Sequence, residues 1–140
     1  MKTLMYLDCE FNGFGGDLIS MALIDERGGS WYEVLPCSDP VPWVKENVMP
    51  ILQKDPVSRE EFTWRLQAFL TQYDQIHIIA DWPEDIAYFC RALLTTPGRR
   101  IMTPPLSMEI IDVSYQSKVP HNALEDAIAI RTAHMCLYST

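Results

Sequence analysis

Residues 3–26 read TLMYLDCEFNGFGGDLISMALIDE, and this stretch decides the fold. TLMYLDC at 3–9 is an apolar run ending in acids, the profile of a short buried strand. The turn-rich NGFGG at 12–16 reverses the chain, and DLISMALIDE at 17–26 forms a second apolar strand. RGG at 27–29 then reads as a hairpin turn into a third strand, SWYEVL. Three strands in succession with short turns make an antiparallel meander.

Beyond the meander the pattern turns helical. CSDPVP at 37–42 breaks the strands, and PWVKENVMPIL at 42–52 is a broken helical segment limited by Pro50. Ser58-Arg59-Glu60-Glu61 is a capping box, with Phe62, Leu66, Phe69 and Leu70 at helical spacing behind it. QIHIIA at 75–80 is a β-rich run of the buried-strand type. DWPEDIAYFCRALL follows as a helix, with Pro83 and the nearby acids suited to its first turn. TTPGRRIMTPPLS reads as a loop, MEIIDV at 108–113 as a fifth strand, and residues 122–138 as a last helix. The order β-β-β-α-α-β-α-β-α predicts one α/β domain over residues 1–140. Its sheet is mixed and five-stranded, the first three strands antiparallel, with helices flanking it.

Composition narrows the function. At 140 residues the chain fits one domain with a proper core. No apolar run approaches the roughly 18–20 residues of a membrane span. Cys9, Cys37, Cys90 and Cys136 are scattered without a C-x-x-C pair, so neither a zinc cluster nor a disulfide scaffold is suggested. A reduced, cytoplasmic protein is expected. The net charge of −8 argues against a broad surface gripping long nucleic acid, because that affinity rests on many cationic phosphate contacts. It does not argue against a site in which divalent cations supply the positive charge.

Three groups of residues carry chemistry. Asp8 and Glu10 stand two apart on the first strand, so their carboxylates share a face and repel unless a cation sits between them. A D-x-E pair alone is weak evidence, since a chain with 19 acids supplies such pairs by chance. The second group is His121-Asn122-Ala123-Leu124-Glu125-Asp126, with His121 in the loop or cap and Asp126 in the first turns of the last helix. Ala123 is small enough to let that helix approach the strand carrying Asp8. The third is DWPEDIAYF at 81–89, whose acids leave a strand end and reach toward the same sheet edge.

D-x-E on the first strand, an acid after the fourth and H-x-A-x-x-D at the last helix, in that order, resemble the DEDDh 3′–5′ exonucleases. That family includes the proofreading exonucleases, oligoribonuclease and RNase T. The resemblance covers essentially the whole chain and implies an RNase H-like fold. It implies Asp8, Glu10, Asp85 and Asp126 as ligands of two Mg²⁺ or Mn²⁺ ions, and His121 as general base. Hard oxygen ligands suit those ions rather than zinc. Asp8-Cys9-Glu10-Phe11-Asn12-Gly13-Phe14 is similar to the family's D-x-E-T-T-G-L, which implies substrate contacts at Phe11, Gly13 and Phe14. Phe14 takes the place of an apolar wedge, while Phe11 and Asn12 replace the usual Thr pair. The middle motif departs most: Asp85-x-x-Tyr88-Phe89 fits its Asp-x-x-Phe-Leu part and puts Asp81 where the family has Asn. Asp81, nearer the strand end, is the alternative middle ligand. The implied activity removes 5′-mononucleotides from short single-stranded RNA or DNA 3′ ends, with RNA favoured, and the branch implies a homodimer. A catalytically inactive RNase H-like binding module is the alternative.

Overall fold

The computed structural model describes residues 1–137. The meander is β1 (Lys2–Phe11), β2 (Leu18–Asp25) and β3 (Ser30–Val34). The broken helical segment is α1 (Pro42–Asn47) followed by a 3₁₀ turn at Met49–Ile51, divided ahead of Pro50. Then come α2 (Arg59–Leu70), β4 (Gln75–Ala80) and α3 (Pro83–Ala92). A two-stranded hairpin, β5 (Leu94–Thr96) and β6 (Arg99–Arg100), precedes β7 (Leu106–Ile110) and α4 (Ala123–Leu137). Tyr138, the expected end of the last helix, lies outside the described residues.

The main sheet has five strands in the order β3-β2-β1-β4-β7. β1 pairs antiparallel with β2 and parallel with β4, and β4 pairs parallel with β7, so the sheet is mixed. Two departures from the sequence reading have plain causes. Residues 94–100 form a hairpin rather than a loop, because Pro97-Gly98 closes a tight turn in which Gly98 takes φ +75°. The last strand runs 106–110, not 108–113: it ends where its partner β4 ends, at the bond from Ile111 N–H to Ala80 C=O.

Alternation along β1 explains how the layers assemble. Met5, Leu7 and Cys9 point to one face, where Phe62 and Leu66 of α2 and Phe89 of α3 cover them. Leu4 and Tyr6 point to the other, against Ala123, Ala127 and Ile130 of α4. Side chains at i and i+2 share a face, so Asp8 and Glu10 continue the α4 side. Ser58 Oγ accepts from Glu61 N–H at 3.1 Å, the capping bond that the S-x-x-E pattern predicts at the start of α2. Among the described residues no helix is long and apolar enough to cross a membrane.

Candidate active site

The parallel strands β1 and β4 both end at one edge of the sheet, the position where open α/β sheets place their ligands. Asp8 and Glu10 arrive there on β1, Asp81 one residue past β4, Asp85 on the first turn of α3, and Asp126 on the first turn of α4. The close approach of α4 is a matter of side-chain size. Ala22 on β2 lies directly across from Asp8, and it is fully buried with Ala123 and Ala127. Bulkier residues at these positions would hold the helix off the sheet and Asp126 away from Asp8.

The carboxylates fall into two sets. Asp8, Asp81 and Asp85 offer ligand oxygens within 4.8 Å of one another, and so do Asp8, Glu10 and Asp126. These buried and half-buried acids form groups able to hold a metal ion, and Asp8 belongs to both. The structure thus brings together all four acids of the sequence-derived quartet and adds Asp81.

Backbone donors fix two of these side chains. Cys9 N–H donates to Asp85 Oδ1 at 3.2 Å, and His121 N–H donates to Asp126 Oδ2 at 3.1 Å. Asp8 differs: it is only 6% exposed, and its Oδ2 is buried with no hydrogen-bond partner. A buried acceptor left unsatisfied is costly in a folded protein. A cation among the carboxylates removes that cost, and the donor set fits one.

Electrostatics agree with the geometry. Burial pushes Glu10 up to about 8, with the charges of Asp126 and Asp85 adding to the shift. Asp85 is also pushed to about 8, by burial first and Asp81 next. Asp8 is raised by burial and then by Asp85, Glu10, Asp126 and Asp81. Groups held away from their ordinary ionisation together at one sheet edge mark a candidate functional site.

His121 takes φ +72°, a left-handed conformation that costs a non-glycine residue energy, and the bond to Asp126 helps to hold it. Its ring meets Trp43 of α1 edge-on, centroids 4.9 Å apart at 81°. Residue 121 also lines an open groove of about 530 Å³ with Tyr115, Gln116, Ser117, Pro120 and Asp126. The cap of α4 is Asn122 rather than His121. The Asn122 Oδ1 accepts from Glu125 N–H at 3.0 Å, while Nδ2 donates to Ile51 C=O at 2.9 Å. Asn122→Ala is therefore expected to cost about 1–3 kcal/mol, read as a lower urea midpoint, because it removes a cap and orphans a carbonyl.

The three expected substrate-contacting residues separate. Phe14 is 97% exposed at the tip of the β1–β2 turn, and Gly13 beside it takes φ +74°. Phe11 is half-buried and stacks on Tyr88, with ring centroids at 4.7 Å. Asn12 clamps the turn: Oδ1 accepts from Val41 N–H at 2.8 Å, and Nδ2 donates to Asp39 C=O at 2.9 Å. His77, by contrast, lies away from the acids and bridges Ser107 and Glu109 between strands. The sequence reading missed Tyr115, whose phenol is raised by burial and then by the charges of Asp81, Asp8, Asp126 and Asp85. It sits in an irregular segment with no motif around it, so no sequence signal pointed there.

No protein-family model matches the chain, and no curated protein matches it.

Proposed function

We propose that the chain is a metal-dependent 3′–5′ exonuclease of the DEDDh kind, built on an RNase H-like fold. The observation that carries this reading is the convergence of Asp8, Glu10, Asp85 and Asp126 on one sheet edge around the partnerless Asp8 oxygen. The acids fit Mg²⁺ or Mn²⁺, being all-oxygen donors with no cysteine or histidine among them. When bound, such ions stabilise the attacking and leaving oxygens of an in-line phosphodiester displacement.

The remaining roles belong to the protein. His121 Nδ1 or Nε2 takes the proton of the attacking water, from a groove that opens to solvent beside Asp126. Trp43 limits the positions the imidazole ring can adopt. Phe14 presents a solvent-facing ring on which an unpaired base can stack without regard to sequence. The substrate is a single strand with a free 3′ end, short because the chain carries a net charge of −8. RNA is favoured over DNA, by the likeness to oligoribonuclease and RNase T.

The test is digestion of 5′-labelled single-stranded RNA and DNA with Mg²⁺ or Mn²⁺. The expected product is a ladder shortening from the 3′ end and abolished by EDTA. His121→Ala should slow it by roughly 10²–10⁴-fold, the usual worth of a general base. Folded protein that cuts neither strand with either metal ends the exonuclease reading and leaves a binding module in its place.

A further inference from the structure

The quartet leaves one acid at this edge unused. Asp81 stands between the end of β4 and the start of α3, and its carboxylate gathers with those of Asp8 and Asp85. An acid near a helix start ordinarily needs no explanation beyond the helix dipole. Here two further observations count against that account. Asp81 is half-buried, and the ligand oxygens of Asp81, Asp8 and Asp85 lie within 4.8 Å of one another. The Asp8 side chain it meets is buried, with an oxygen that no donor reaches.

The two sets share only Asp8. Asp85 has one oxygen committed to Cys9 N–H and the other left over. Asp126 is likewise half committed, to His121 N–H. Each set therefore contains the common Asp8, one carboxylate tethered by a backbone donor and one further acid. That further acid is Glu10 on the α4 side and Asp81 on the α3 side.

We infer that Asp81 is a fifth carboxylate ligand of the expected metal centre, and that it would hold one ion together with Asp8 and Asp85. Asp8, Glu10 and Asp126 would hold one ion, and Asp8, Asp81 and Asp85 the other. This deepens the nuclease reading and rests on it for its purpose, since a phosphodiester displacement is what two adjacent ions serve. Asp81 is then no alternative to Asp85: the two act together on one ion.

Calorimetric titration of the full chain with MnCl₂ tests this without recourse to activity. Wild type should take up two ions. Asp81→Asn and Asp81→Ala should each keep one and weaken the other by at least about tenfold, the loss usual even for an outer-shell partner. The second variant is included because an asparagine oxygen can itself ligate. Glu10→Gln should weaken the opposite ion, so that Glu10→Gln combined with Asp81→Ala weakens both. Unchanged two-ion binding in both Asp81 variants overturns the inference, as does a wild-type protein that binds a single ion. Cleavage assays on the same samples separate the two readings. Cutting together with Asp81-independent binding removes only this inference. Asp81-dependent binding of two ions without cutting removes only the nuclease.

Discussion

Asp8→Asn is expected to bring cleavage down to the level seen in EDTA, and at the same time to raise the melting temperature of the metal-free protein. The first effect follows from the place of Asp8 in both carboxylate sets. On the proposed reading neither ion would be held without it, and the several kcal/mol of charge stabilisation that metals lend to phosphodiester cleavage would be lost, roughly 10³-fold or more in rate. The second effect has the opposite sign. In the absence of metal, Asp8 is buried with an unpartnered oxygen among four other carboxylates, each of which disfavours its charge. Asparagine keeps the shape and removes the charge. The gain should be about 3 °C, the usual yield of about 1 kcal/mol in a domain of this size. Differential scanning calorimetry in EDTA measures it. A merely structural aspartate would lose stability on substitution, so a fall in melting temperature counts against the site, whatever the activity shows.

How much of the site was legible in the sequence depends on whether its causes are local or tertiary. Asp8 and Glu10 were readable because strand geometry is local: two residues apart on β1 means one face, and the face follows from Tyr6 packing on α4. The capping box of α2 was readable for the same reason, its bond spanning three residues. Asp126 was readable as a first-turn residue of α4, but its reach to the sheet depends on Ala22, whose position opposite Asp8 is set by strand register. Other features were out of reach because their causes are tertiary. β7 stops at Ile110 since β4 stops at Ala80, although Ile111 and Val113 favour a strand just as well. Trp43 and His121 meet where Asn122 ties the start of α4 to the 3₁₀ turn through Ile51, a contact between segments far apart in the chain. The stacking of Phe11 on Tyr88 was equally out of reach, since it joins the end of β1 to α3 across the fold.

The metal-free protein is expected to lose stability as the pH rises from about 4 to about 8, and divalent metal is expected to cancel the trend. Glu10 and Asp85 are both held near 8 when folded, against ordinary values of 4.5 and 3.8. A carboxylate with a raised folded pKa binds its proton more tightly in the native state than in the unfolded chain. Its contribution is therefore complete below about 4 and disappears as the pH climbs through about 8. Each such proton is worth about 1.4 kcal/mol per pH unit across that window, before salt screening reduces it. Asp25 acts in a different window. Burial would raise it, but the Tyr73 hydroxyl and the N–H groups of the β2–β3 turn outweigh that and lower it, so its contribution is lost only below the ordinary aspartate range. Melting temperatures at pH 5.5 and 8.0 in EDTA should thus differ, the higher value at the lower pH. Mg²⁺ stabilises the ionised carboxylates, so added Mg²⁺ should raise the pH 8.0 value most, by about 2.7 kcal/mol of stability at 100 times Kd. Asp85→Asn should flatten the EDTA profile, because one of the two shifted groups no longer titrates. A melting temperature that rises from pH 5.5 to 8.0 in EDTA, or an Mg²⁺ effect of equal size at both, would mean that these carboxylates are not crowded into one centre.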